Sequence, residues 1–183
     1  HHGAFAVGVS GEDAALFEAA QHFPTVDGES IDVGLVGEVT SVRADIVKSL
    51  LNDGLIPVVS SIGVGTDGTI YNINADTAAA ALAVGLGAEK LVMMTDVPGL
   101  YANWPSSDAV ISELSRTELA ALLPQLDGGM IPKMSACLSA VEGGVARAHI
   151  IDGRLEHSVL LEIFTDSGIG TMVYADQGEM EDD

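Results

Sequence analysis

Six of the fourteen residues from Asn74 to Gly87 are alanine. Alanine loses no side-chain entropy in a helix and leaves a flat surface, so such a helix lies close against a sheet. Strand-like runs stand on both sides of it, at residues 69–73 and 89–94, and the same alternation continues along the chain. Residues 4–9, 56–60, 148–152 and 171–174 read as strands, while 44–52, 116–123, 132–141 and 156–163 read as helices. Ser10-Gly-Glu-Asp13 has capping-box spacing, with Asp in place of Glu, and predicts a helix over 14–20. Asp27-Gly28, between runs at 23–26 and 31–36, predicts a β-hairpin because it supplies the positive φ of a tight turn; Asp67-Gly68 predicts a second. Strands spaced by helices predict an α/β protein, a mainly parallel sheet with helices on both faces in three layers. Residues 1–175 are expected to form one domain, and residues 176–183 an acidic, solvated tail. His1-His2 runs directly into strand-like sequence with no initiator methionine, so the expectation is a domain whose N-terminal part is missing.

Composition narrows the function classes. With 48% apolar residues and a mean hydropathy of +0.35, the 183-residue chain has enough apolar surface for a sizeable core. Seven basic against 27 acidic residues give a net charge of −20, which opposes a nucleic-acid or anionic-membrane surface. The apolar runs are all well short of the ~20 residues that span a bilayer. A single cysteine, Cys137, excludes an internal disulfide framework and fits a reducing compartment such as the cytoplasm.

Ligands of open α/β sheets collect beyond the carboxyl ends of strands, and three segments fall there. In Asn72-Ile-Asn-Ala-Asp76, Asn72 and Asn74 are two apart in an extended stretch, so their amides share a face suited to a carboxylate or amide ligand. The plainer reading makes Asn74 a helix N-cap and Asp76 a first-turn acid. Thr95-Asp-Val-Pro-Gly-Leu-Tyr101 offers a hydroxyl, a carboxylate and bare backbone, which suit the ribose and base of a nucleotide; otherwise it is a Pro-Gly turn. In Gly128-Gly-Met-Ile-Pro-Lys133, Pro132 suits the first position of a helix, placing Lys133 in a first turn whose dipole disfavours a cation. An anion between Lys133 and the helix start, a polyphosphate above all, resolves that conflict, and the paired glycines allow close backbone approach. A solvated lysine beside an acid is the alternative.

The remaining chemistry-bearing residues offer less. Cys137 reads as a core residue, His22 and His149 lack metal-ligand spacing, and Tyr101 and Trp104 are too few for a stacking platform. No Walker A, dinucleotide-binding or nucleophile-elbow motif occurs.

Taken as an ordered set, these segments resemble the amino acid kinase family, within it the branch that phosphorylates N-acetyl-L-glutamate in arginine biosynthesis. The resemblance is carried by Asn72-Ile-Asn-Ala-Asp-Thr-Ala-Ala79, Leu86-Gly-Ala-Glu-Lys-Leu91, Thr95-Asp-Val-Pro-Gly-Leu-Tyr101 and Gly129-Met-Ile-Pro-Lys133, with Pro57-Val-Val-Ser60 and Phe164-Thr-Asp-Ser-Gly-Ile-Gly-Thr171 in support. It implies phosphoryl transfer from ATP to the γ-carboxylate of N-acetyl-L-glutamate, with Mg2+ carried by the nucleotide. By position it implies that Asn72 and Asn74 bind the acceptor, that Asp76 organises the catalytic lysines, and that Lys133 stabilises charge on the phosphoryl group. Thr95, Asp96, Val97, Pro98, Gly99, Leu100, Tyr101, Gln125, Leu126, Asp127, Gly129 and Met130 would form the nucleotide site.

The family's opening lysine, glycine-rich turn and substrate-binding arginine have no counterpart here. The chain is therefore expected to be a C-terminal part with poor activity, since losing one preorganised charge-stabilising contact costs ~10²–10³ in rate. His157-Ser-Val-Leu-Leu-Glu162 and Gly168-Ile-Gly170 resemble the arginine-sensitive branch, which implies an effector site with His157, Glu162 and Gly168 and a homo-oligomer at full length. The competing readings are a non-catalytic nucleotide- or arginine-binding remnant and a relative within the family, such as a carbamate, aspartate or uridylate kinase.

Overall fold

Leu16, Phe17, Val47 and Ile73 are almost wholly buried, and the first half of the chain is built around them. The computed structural model describes residues 3–26, 28–102, 108–165 and 168–176. The chain divides into two compact units, His1–Leu86 and Gly87–Asp183.

In the first unit the elements are β1 (Ala6–Ser10), β2 (Phe17–Gln21), β3 (Thr25–Val26), β4 (Glu29–Ser30), β5 (Val36–Val42), α1 (Asp45–Asn52), β6 (Ile56–Ser60), β7 (Ile62–Val64), β8 (Ile70–Ile73) and α2 (Ala75–Leu86). β1 and β6 pair in parallel from Ala6↔Ile56 to Ser10↔Ser60. β2, β5, β8 and β7 close into a small barrel of mixed direction. The alanine-rich helix forms as expected and packs on β5. A Cβ at Gly85 would stand 2.9 Å from Val42 Cγ1, so backbone and strand approach as closely as the composition requires.

Two local expectations are corrected. Residues 14–20 are not a helix: a 3-10 turn at Asp13–Ala15 leads straight into β2. Half of the capping box does form, the Ser10 N–H donating to Asp13 Oδ2 at 2.8 Å, but Ala14 and Ala15 take φ of 51° and 52° and end the turn. Phe17 and Ala19 are then buried alternately, the period of a strand, and pairing with β5 overrides alanine's helical preference. Asp27 lies outside the described residues, and the expected hairpin pairs β3 with β4, with Gly28 at φ 85°. Its second arm ends at Ser30, however; Ile31, Val33 and Leu35 are exposed, and the next strand is β5.

The second unit contains β9 (Lys90–Thr95), β10 (Glu113–Ser115), α3 (Arg116–Leu122), α4 (Met130–Glu142), β11 (Arg147–Asp152), α5 (Ser158–Phe164) and β12 (Thr171–Tyr174). Its sheet runs β10-β12-β11-β9, with β10 parallel to β12, β12 antiparallel to β11, and β11 parallel to β9. Parallel pairing is present as expected, within mixed sheets. Ala148, His149, Ile150 and Ile151 are buried in succession, which requires cover on both faces of β11. Cys137 lies fully buried in α4, as a core residue should. Among the described residues no helix is long and apolar enough to cross a membrane.

Candidate functional site

In the first unit, β8 hands directly over to α2. Tyr71 and Ile73 face the core, so Asn72 and Asn74 fall on the opposite, exposed side, as their spacing requires. Asn74 is the N-cap: its Oδ1 accepts from the backbone N–H of Asp76 at 2.9 Å and of Thr77 at 3.2 Å. The plainer reading of Asn74 therefore holds for its carbonyl oxygen. Asp76 is the second residue of α2, half-buried, in the turn where backbone N–H groups favour an acid. A cavity of about 270 Å³ opens in this unit between Phe17, Val59, Ser60, Ser61 and the α2 residues Ala75 and Ala78.

In the second unit, β9 and β11 end together at the register pair Thr95↔Asp152. The segment after Thr95 is more than a Pro-Gly turn. The Leu100 N–H donates to Thr171 Oγ1 at 2.8 Å, and that hydroxyl donates to the Ile111 carbonyl at 2.7 Å. A Cβ at Gly99 would stand 2.7 Å from both Thr171 Oγ1 and Val110 Cγ1, so only glycine lets the loop sit this close. Thr171, wholly buried, is the anchor.

Beside this loop lies a cavity of about 310 Å³ lined by Leu100, Tyr101, Leu122, Gln125, Leu126, Asp127 and Met130, with Ala102. Six of the expected nucleotide residues thus meet in one concavity, although they lie more than twenty positions apart in sequence. Thr95, Asp96, Val97, Pro98, Gly99 and Gly129 are not among its lining. Its volume is at the lower end of the roughly 300–1,000 Å³ typical of ligand pockets.

α4 starts at Met130, with Gly129 as a cap that offers no side chain. Pro132 is therefore third in the helix rather than first, a correction of two residues, and Lys133 is fourth. The change costs little, since proline's missing N–H still falls among the four that have no intrahelical partner. Lys133 is half-buried.

One charged residue at this edge was not singled out from the sequence. Arg154 follows β11 by two positions and grips Asp152 with both arms, Nε to Oδ1 at 2.9 Å and Nη2 to Oδ2 at 2.8 Å. Its backbone N–H also donates to Oδ1 at 2.9 Å. These bonds, side chain first and backbone second, hold the Asp152 carboxyl down to about 2. The Asp152 hydrogen bonds, followed by the charges of Asp152, Asp96 and Tyr101, hold the guanidinium above its ordinary value. The available signal was an Asp-Gly-Arg run closing a predicted strand in a chain with only seven basic residues.

Of the residues expected around an arginine effector, Glu162 and Gly168 lie against each other. Glu162 is buried; its Oε1 is 2.7 Å from His149 Nδ1, and its Oε2 accepts from the N–H groups of Ile169 at 2.7 Å and Gly170 at 3.2 Å. Gly168 packs against that carboxylate at φ 59°. His157 instead caps α5 in the left-handed region at φ 60°, exposed and 3.4 Å from Glu156. His149, set aside for lack of metal-ligand spacing, is thus the partner of Glu162; its Nε2 is buried with no hydrogen-bond partner among the described residues. Trp104 and residues 177–183 of the acidic tail lie outside the described residues.

Comparison with known proteins identifies the family. The amino acid kinase family model matches residues 1–152. The acetylglutamate kinase of Acidothermus cellulolyticus is 64% identical over 176 residues, covering 94% of this chain and 60% of that protein. That of Frankia casuarinae is 62% identical over 177 residues, covering 97% of this chain and 49% of its own length. The chain thus spans about half the length of the curated relatives it matches. Among solved structures, N-acetylglutamate synthase from Neisseria gonorrhoeae, complexed with coenzyme A and L-arginine, superposes with a TM-score of 0.79 at 28% identity, over 93% of this chain and 38% of that one.

Proposed function

Since the chain belongs to the amino acid kinase family, we propose that it takes part in ATP-dependent phosphorylation of the γ-carboxylate of N-acetyl-L-glutamate. The observation that carries this reading is the cavity that Leu100 and Tyr101 form with the 125–130 segment. A base fits between Leu100, Leu126 and Met130, and Gln125 and Asp127 supply polar contacts at the rim. The phosphates then run outside the cavity toward the start of α4, where Gly129 offers no capping side chain and the first-turn N–H groups and Lys133 suit an anion. Phosphoryl transfer relies on positioning and charge neutralisation more than on covalent help, and a fixed lysine answers that need. The acceptor oxygen attacks the γ-phosphorus, ADP leaves, and an acyl phosphate forms. Asn72, Asn74 and Asp76 are the acceptor-side residues in this reading, Asn74 through its amide nitrogen because its oxygen caps α2.

In this reading Mg2+ would come with the nucleotide, on its own phosphates. There it supplies neutralisation of phosphate charge. A cytoplasmic location and a homo-oligomer belong to the same proposal. L-arginine is kept as a candidate effector because the Neisseria synthase was solved with it.

Titration calorimetry of the 183-residue chain with MgATP tests the nucleotide half, and absence of heat at millimolar ligand would remove it. Trapping the acyl phosphate as a hydroxamate tests the acceptor. Product with N-acetyl-L-glutamate and none with aspartate or carbamate is expected, and the reverse selects the relative within the family.

A further inference from the structure

The second unit has five basic residues, and the fold places each of them differently. Lys90 and Arg147 are register partners at the amino ends of β9 and β11, the edge away from the expected ligand. Arg116 pairs with Asp176 at 3.2 Å. Lys133 rides on α4. Arg154 alone is set by strand register at the carboxyl edge, because Gly153 N–H donates to the Thr95 carbonyl at 2.8 Å and ties the 152–154 turn to the end of β9. The Asp152 fork uses one edge of the guanidinium. The side chain is still 64% exposed, against 19% for Asp152, so the guanidinium reaches solvent while it holds the carboxylate.

We infer that Arg154 is a phosphate-binding residue for the nucleotide, held in place by Asp152. The inference rests on the nucleotide reading above and adds to it a residue that the family resemblance did not supply. A guanidinium fixed along one edge by a carboxylate has lost its rotamer freedom before the ligand arrives, and its remaining N–H groups match phosphate oxygens in a planar fork. The Gly153 N–H bond to the Thr95 carbonyl holds Arg154 next to the start of the loop that runs on to Leu100 and Tyr101 of the base cavity. In a chain of net charge −20 an anionic ligand needs such a local cation, and at this edge the strand register supplies Arg154.

The test is calorimetry of the chain with ATP, ADP and adenosine, comparing Arg154→Ala, Arg154→Lys and Asp152→Asn. Arg154→Ala should weaken ATP and ADP by about tenfold or more, the scale of a charge-assisted contact, and leave adenosine within about twofold. Lysine should restore part of the loss, having charge without the fork. Asp152→Asn should fall between, since the arginine keeps its charge but not its orientation. If Arg154→Ala leaves ATP unchanged, the inference is wrong. It is also wrong if all three ligands weaken alike together with the thermal midpoint, which is the mark of a purely structural clip. If the unsubstituted chain binds none of the three, the nucleotide reading itself fails and takes this inference with it.

Discussion

Asn74 and Arg154 occupy similar places, each just beyond the carboxyl end of a strand, yet their polar groups meet different demands. After β8 a helix begins at once, and the first turn of α2 claims the Asn74 oxygen through two backbone N–H groups. After β11 no helix begins until Ser158, so Asp152 can hold Arg154 by one edge and leave the other facing outward. A polar residue at a strand end is available to a ligand only to the extent that the following backbone does not need it. That distinction depends on how many residues separate strand from helix, not on residue type.

The sharpest way to break the comparison is to move β11 itself. A Cβ at Gly170 would overlap the Ile150 carbonyl oxygen, a backbone atom that cannot swing away. Gly170→Ala should therefore cost at least about 3 kcal/mol, the upper range of overpacking, and a urea midpoint measures it. Because the Asp152–Arg154 turn hangs from β11, nucleotide affinity should fall with stability in this variant while remaining separable in Arg154→Ala. A Gly170→Ala chain of unchanged midpoint would show that β11 does not hold the edge in place.

Glu162→Ala ranks next. It leaves His149 Nδ1 and the N–H groups of Ile169 and Gly170 buried without their acceptor, which costs roughly 2–4 kcal/mol. This bears on any test of arginine binding: the variant lowers stability whether or not Glu162 touches an effector. Heat of arginine binding must therefore be compared at equal folded fraction, and loss of binding with no loss of stability would show that the carboxylate faces outward instead.

Asn74→Ala should cost about 1 kcal/mol, the value of an N-cap, and Asn74→Asp should restore most of it because a carboxylate accepts from the same two N–H groups. If Asn74→Ala leaves the midpoint where it was, the oxygen is not serving α2 and the contrast with Arg154 disappears.

The two units were not equally legible. In the second, β9, β11 and β12 came within a residue or two of their expected limits; β11 is buried in succession and reads as an apolar run, while β9 and β12 alternate with the period of a strand. In the first, the run after Asp13 misled. Ala14, Ala15, Ala19 and Ala20 favour a helix locally, whereas Phe17 needs the core and reaches it only as a strand. β10 was missed because three residues carry too little period to read. The residues proposed for the nucleotide came from resemblance, and the meeting of six of them in one cavity could not be read from a linear order. Arg154 escaped for a different reason: its use comes from the β9–β11 register, a long-range fact without a local signature.

The smallest expected effect concerns acid. The Asp152 carboxyl is held at about 2 in the folded chain, against an unfolded value near 4. A carboxyl depressed in this way stabilises the fold fully above its unfolded value and loses that contribution as pH falls through the folded one. The difference in denaturation midpoint between the unsubstituted chain and Asp152→Asn should thus stay constant from pH 8 to about 5, then narrow between about 4 and 2. The pair stands at the surface, so the difference should be small at every pH and shrink further with added salt. Narrowing already between pH 7 and 5 would mean that the fork is not what holds Asp152 ionised. In that case Arg154 would be no better oriented at the strand edge than any solvated arginine, and its likeness to Asn74 would be one of position alone.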